Sequence, residues 1–297
     1  MSDTTDLPSP GFAPLRGTRI LSLALNLPGP AALMRCRQMG AHCVKLEPVS
    51  PDGRPTDPMA RYSPDAYVAL HEGIETLQAD LKTTEGQALL HTQLAQTDVL
   101  ITSFRPSALA RLGLAWETLQ SRHPRLSLVA IVGAPGARAE APGHDLTYLA
   151  DSGLVTGLDL PPTLYADMGG SLMASEAVLQ AQLHRAMHHE GVRLSIALSD
   201  AARYLALPRA WGLTTSSGSV GGAHAGYRVY ACADGRVAVA ALEPHFAAAL
   251  CDAAGIASRN MFMSSTHAAL AAWLGARTRA ELDTIASEHD IPLHTLP

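Results

Sequence analysis

GTRILSLALNLPGPAALMRCRQMGAHCVKLEP, residues Gly17–Pro48, is the stretch on which the fold of this chain turns. Arg19–Leu25 is a short apolar run rich in Ile and Leu, the composition of a buried strand. Asn26-Leu27-Pro28-Gly29-Pro30 predicts a turn, and Ala31–Met39 a helix closed by Gly40 at its C-terminal cap. Cys43–Leu46 predicts a second strand. Strand, helix and strand at this spacing form a right-handed βαβ unit, which requires a parallel sheet.

Outward from that unit the alternation continues. Glu47–Asp65 is rich in proline and reads as loop. Strands are expected at Leu77–Leu81, Val99–Ile101, Ser127–Val132 and Leu194–Ala197. Helices are expected at Thr83–Leu94 with Thr84 as N-cap, at Ala108–Leu112, Trp116–Arg122 and Asp200–Gly212, and from Ser171 to His189 before Gly191. The expected fold class is therefore α/β, a large Rossmann-like open sheet whose ligands bind beyond the carboxyl ends of its strands. No GxGxxG fingerprint accompanies it, so a nicotinamide or flavin cofactor has no support. Thr214–Gly222 (TTSSGSVGG) reads as a linker. Beyond it, Tyr227–Ala231 and Arg236–Ala241 flank Asp234-Gly235 as a hairpin, with helices near 246–254, 267–274 and 279–289. The expected division is a large domain over 1–213, a linker over 214–222 and a small α+β domain over 223–297.

Composition narrows the function. The chain has 297 residues, 47% hydrophobic and 16% charged, with a net charge of −5. There is no basic run to meet a nucleic acid and no apolar run long enough to span a membrane, so neither partner is expected. The polar opening Met1–Asp6, followed by Pro8 and Pro10, reads as a terminal arm rather than a signal peptide, and Cys36, Cys43, Cys232 and Cys251 lack CxxC spacing. A cytoplasmic protein with reduced thiols is expected. His184, His188 and His189 cluster near one helix end without an HExxH pattern, and no metal site is expected.

Three islands place an ionisable side chain beside Gly or Pro: Gly143-His144-Asp145, Ala166-Asp167-Met168-Gly169-Gly170-Ser171 and Leu242-Glu243-Pro244-His245-Phe246. One imidazole and two carboxylates are the components needed to move protons at a carbon acid. On local grounds alone each island also suits a helix start, where His144–Asp145, Asp167 or Glu243 would cap or sit in a first turn.

Order and flanks carry the islands further. Gly17–Pro48, Asp80-Leu81-Lys82-Thr83 with Glu85-Gly86, Asp98–Leu114 (DVLITSFRPSALARLGL), Gly143–Gly153 (GHDLTYLADSG), Ala166–Ser171 and Ala231–Phe246 (ACADGRVAVAALEPHF) follow one another as in the class III CoA-transferase family. This is the family of formyl-CoA transferase and carnitine CoA-transferase, and the chain most resembles its alpha-methylacyl-CoA racemase branch. The resemblance implies a two-domain fold, an interlocked homodimer and an acyl-CoA thioester as substrate. Coenzyme A would then be part of the substrate, with no tightly bound cofactor. It implies that His144 and Asp167 are the two acid/base residues and that Glu243 is the carboxylate paired with the imidazole. Asp167 also matches the nucleophile of the transferases. Gly169 and Gly170 are expected to let backbone approach the ligand, with Ser171 opening a helix toward the enolate oxygen.

The chain departs from the family in three places. A basic stretch before Asp80 is replaced by His71-Glu72-Gly73-Ile74-Glu75-Thr76, and a Gly-Gln loop reads Gly133-Ala134-Pro135-Gly136-Ala137-Arg138. Family members continue beyond the position of Pro297, so the family's return segment is expected to be missing. Lys45, Arg54, Lys82 and Arg105 remain as expected contacts of the CoA phosphates, with Arg61 and Arg111 as further candidates. The expected activity is racemisation of a 2-methyl-branched acyl-CoA by two-base α-proton transfer. The alternatives are CoA transfer through an Asp167 intermediate and a shortened non-catalytic paralogue.

Overall fold

The structure, a computed structural model, describes residues 12–297; the polar opening Met1–Asp6 with Pro8 and Pro10 lies outside them. The chain divides into two compact units, one ending at Leu205 and one beginning at Ala206. This boundary falls earlier in the chain than the linker read at 214–222.

The first unit runs β1 (Arg19–Ser22), α1 (Pro28–Gln38), β2 (His42–Glu47), α2 (Met59–Tyr62), α3 (Pro64–His71), β3 (Glu75–Gln78) and α4 (Thr84–Leu94). It continues with β4 (Val99–Thr102), α5 (Pro106–Arg111), α6 (Trp116–Arg122), β5 (Ser127–Val132), α7 (Asp145–Asp151), α8 (Tyr165–His188), β6 (Arg193–Ala197) and α9 (Leu198–Leu205). Its six strands lie in the order β3-β2-β1-β4-β5-β6, and every pairing is parallel. All six residues of β5 are buried, as expected for a strand covered on both faces. One face packs Ile20, Ile101 and Val129 against Leu33 of α1 and Val178 of α8. The other packs Leu21, Leu100 and Leu128 against Leu90 of α4 and Leu119 of α6. The strand order reverses between β1 and β4, which opens a crevice at the carboxyl ends there.

The parallel α/β class stands, and the differences from the sequence reading have physical reasons. The helix after β1 begins at Pro28 rather than Ala31, because proline is suited to the first turn, where its missing N–H costs nothing. Gly40 does close it, at φ +94°. Thr83, not Thr84, caps α4, its hydroxyl accepting from the Gly86 N–H at 3.1 Å. The region read as loop contains α2 and the first two residues of α3, Pro64 and Asp65. β3 lies earlier than the expected 77–81, because an edge strand tolerates the polar, exposed Glu75 and Thr76 and the half-buried Gln78. The long helix begins at Tyr165, ahead of the glycine pair that placed its start at Ser171. Packing overrides helix propensity here.

The second unit comprises α10 (Leu207–Ala210), β7 (Tyr227–Cys232), β8 (Gly235–Ala240), α11 (Pro244–Ala253), α12 (Ser264–Gly275), α13 (Arg279–His289) and β9 (Leu293–Leu296). Its antiparallel sheet has the order β7-β8-β9. Val237, Leu250, Leu270, Leu274 and Leu282 form its core. The hairpin turn is Ala233-Asp234, with Gly235 already paired to Cys232. Asp234 accepts the Arg279 N–H at 2.8 Å, which ties the turn to α13. β9, absent from the sequence reading, pairs with β8.

Candidate active site

Two helix starts in the first unit carry the site. His144 is the extended residue before α7 (φ −140°, ψ 169°), and its N–H donates to Thr147 Oγ1 at 3.1 Å. The Thr147 hydroxyl in turn donates to the His144 carbonyl at 2.7 Å, so the turn is clasped from both sides. His144 itself is exposed, while Asp145, the first residue of α7, is buried. Asp145 Oδ1 accepts the backbone N–H of Asp167 at 3.0 Å, which joins the first turn of α7 to the first turn of α8.

Asp167 is half-buried in that first turn. A helix N-terminus favours a carboxylate, yet burial, reinforced by the negative charge of Asp145, pushes the Asp167 carboxyl up to about 7. It is therefore a group that both holds and releases a proton near neutrality.

His144 and Asp167 line one cavity of about 290 Å³. Its walls are the segments leaving β1 (Leu25, Asn26), β4 (Phe104, Arg105) and β5 (Val132, Gly133). This is the crevice where the strand order reverses. Asn26 holds a left-handed backbone (φ +68°), and its N–H donates to Asp57 Oδ1 at 3.0 Å. Tyr148 of α7 and Leu198 of α9 complete the lining on the side of the helices. A second cavity, about 380 Å³, runs along the carboxyl ends of β2 and β3 past Glu47, Pro48 and Lys82, and Phe104 lines both.

The expected phosphate contacts separate. Arg105 is exposed at the first cavity and Lys82 at the second. Arg54 is exposed in the loop after β2, 3.3 Å from Asp52, and Arg61 and Arg111 are exposed as well. Lys45 corrects the expectation, because its side chain is fully buried. Its ammonium lies 3.0 Å from Glu47 Oε1, 2.5 Å from Asp57 Oδ2 and 2.9 Å from His71 Nε2. Burial opposes ionisation of Glu47. Lys45, with hydrogen bonds from Thr56 and Tyr67, nevertheless holds that carboxyl below its ordinary value. His71 is held low by burial and then by Lys45. Glu47, Asp57 and His71 would suit a metal ion by spacing, but the Lys45 ammonium already supplies the cation they surround.

Gly169 and Gly170 lie inside α8, not ahead of a helix. The room their missing side chains leave is taken by α9: a Cβ on Gly170 would lie 2.3 Å from Leu198 Cδ2, and one on Gly169 3.3 Å from Ala201 Cβ. Ser171 is buried in the helix with its hydroxyl donating to the Met168 carbonyl at 2.7 Å, so it does not open a helix toward a ligand. Glu243 is the residue before α11 in the second unit, exposed, with no hydrogen bond from its side chain to the helix start. Its pairing with an imidazole is carried by the family resemblance alone. Sequence reasoning missed Asp145 and Tyr148. Their only signal was position, one and four residues after His144, on the helix that the Gly-His pair introduces.

A sequence profile described as CoA-transferase family III matches residues 15–296. The chain is 29% identical to the alpha-methylacyl-CoA racemase of Mus musculus over 265 residues, covering 83% of this chain and 66% of that protein. It is 31% identical to the succinate–glutarate CoA-transferase of Agrobacterium fabrum over 216 residues, covering 66% of this chain and 53% of that one. The chain thus spans between half and two thirds of the length of these relatives. Among solved structures, a CAIB/BAIF family protein from Brucella suis superposes with a TM-score of 0.77 at 23% identity, covering 96% of this chain and 84% of that one. A hypothetical protein from Mycobacterium tuberculosis superposes with a TM-score of 0.81, also at 23% identity, covering 95% and 84%.

Proposed function

The chain belongs to CoA-transferase family III, and from that membership we propose that it inverts the α-carbon of a 2-methyl-branched acyl-CoA thioester by two-base proton transfer. The observation that carries this reading is the sharing of one cavity by an exposed imidazole and a carboxyl pushed up to about 7. A two-base inversion needs one group free to accept a proton while the other still holds one. Histidine meets the first condition near neutrality by its nature. Asp167 meets the second by burial beside Asp145.

The steps follow from those two groups. His144 takes the α-proton on one face and becomes imidazolium, and the electron pair moves to the thioester carbonyl as an enolate. Asp167, protonated, returns a proton to the same carbon from the other face and is left as carboxylate. The reverse direction exchanges the roles. The cavity is at the small end of ligand pockets and suits the acyl end of the substrate. The CoA arm is proposed to leave past Phe104, with Arg105 and Lys82 as phosphate contacts.

The test is α-deuterium incorporation from heavy water, with no added acid to accept CoA. His144→Ala and Asp167→Ala are each expected to abolish racemisation and to lower exchange by about 10²- to 10⁴-fold for the enantiomer whose α-hydrogen faces the removed group. Wild-type exchange in both variants would refute the assignment. The second reading, CoA transfer with Asp167 as nucleophile, is favoured by the comparable identity to the transferase relative. It requires an acceptor acid and leaves a trappable acyl group on Asp167.

A further inference from the structure

Tyr148 lies on α7 one turn after His144, and only 8% of its surface is exposed. Its ring belongs to the core between the sheet and α8, while the residue also lines the cavity shared by His144 and Asp167. Two glycines on opposite stretches of chain make room for its hydroxyl. A Cβ on Gly133, after β5, would lie 2.3 Å from that oxygen, and a Cβ on Gly143, before α7, would lie 2.5 Å from it. The hydroxyl has no hydrogen-bond partner among the described residues, although the neighbouring Thr147 hydroxyl and Asp145 carboxylate are both engaged. The ring is enclosed, but the oxygen is not one of the fully buried unpartnered polar atoms, so its donor stays open on the cavity side. Asp167 and Arg105 are near enough to act on it electrostatically, and burial followed by Asp167 raises its titration above the ordinary tyrosine value. Tyr148 is therefore a neutral donor at every physiological pH, held against a wall of the cavity by rigid packing.

We propose that the Tyr148 hydroxyl is a catalytic residue, donating a hydrogen bond to the thioester carbonyl oxygen of the substrate as that oxygen gains enolate charge. The inference rests on the proton-transfer reading above. The arriving group fits the chemistry, because a thioester carbonyl has only an acceptor to offer and Tyr148 has an unused donor. No proton leaves the phenol. His144 removes the α-proton, the C–H electron pair becomes the enolate π-bond, and the carbonyl π-pair moves to oxygen, where Tyr148 stabilises it. Asp167 then protonates carbon and the carbonyl reforms. A donor placed before the reaction gives most where charge develops, so it should stabilise the transition state more than the bound substrate. Gly133 and Gly143 act as positioning residues, because any side chain there would displace the hydroxyl.

The test is Tyr148→Phe, which keeps the buried ring, with the Tm recorded to confirm the fold. Exchange in heavy water should fall by about 10²-fold in kcat. The Kd for a 2-methylacyl-CoA should rise by no more than about tenfold. The thioether analogue, in which a methylene replaces the carbonyl, should bind both proteins alike. Exchange within about threefold of the wild type, or equal weakening of thioester and thioether, would overturn the assignment. Should the wild type show no exchange while the thioester still binds less tightly to the Phe variant and the thioether does not, the proton-transfer reading fails and the Tyr148 contact stands.

Discussion

A carboxyl whose ordinary value is 3.8 and which burial has pushed up to about 7 destabilises the fold once it ionises. Between those values the folded chain holds a proton that the unfolded chain has released, so Asp167 removes stability as pH rises through that window. Asp167→Asn, neutral at every pH, should therefore gain in Tm relative to the wild type from pH 5 to pH 8, while activity is lost. A constant difference in Tm would contradict the buried-acid account. Lys45 argues the opposite case. Lys45→Met leaves Glu47 and Asp57 buried without their cation, and urea denaturation should show a loss of roughly 3–5 kcal/mol. A variant of unchanged stability with weakened CoA binding would instead make Lys45 a ligand contact.

At the scale of elements, glycine decides where helices meet the rest of the fold. Replacing a helical glycine by alanine ordinarily stabilises by about 1 kcal/mol. Gly86, in the first turn of α4, should behave in the opposite sense, because a Cβ there would lie 2.0 Å from the Asp80 carbonyl oxygen and 2.6 Å from its carbon. Those are backbone atoms and have no rotamer to yield. Gly86→Ala is expected to lower stability by about 1–3 kcal/mol in chemical denaturation, and a stabilised variant would show that α4 does not sit on Asp80. The same logic explains the start of α8. Gly169-Gly170 resembles a helix break in sequence, yet the pair lies inside the helix because α9 packs directly against it.

For the whole molecule, the parallel sheet was legible from β1–α1–β2 onward, since apolar runs, proline turns and Gly40 all indicate the same units. Register at the edge strand β3, the short helices α2 and α3 and the third strand of the second unit were not. Their residues are polar or proline-flanked, and only tertiary contacts select them. Of the candidate site, His144 and Asp167 were expected together from the order of the motifs, and the fold brings both to one cavity. Asp145, which sets the environment of Asp167, and Tyr148, whose hydroxyl fits between Gly133 and Gly143, were not, because their roles arise from distances across the fold. The burial of Lys45 was hidden for the same reason, since His71 and Asp57 reach it from different segments. One imidazole and one acid, each serving one face of the same carbon, is the claim from which the rest follows. It is tested most directly by incubating each enantiomer of a 2-methylacyl-CoA in heavy water with the wild type, His144→Ala and Asp167→Asn. The wild type should exchange the α-hydrogen of both enantiomers, and each variant should retain exchange with one enantiomer only, the opposite one in each case. Exchange of both enantiomers at wild-type rates by either variant, or none by the wild type, would contradict the account.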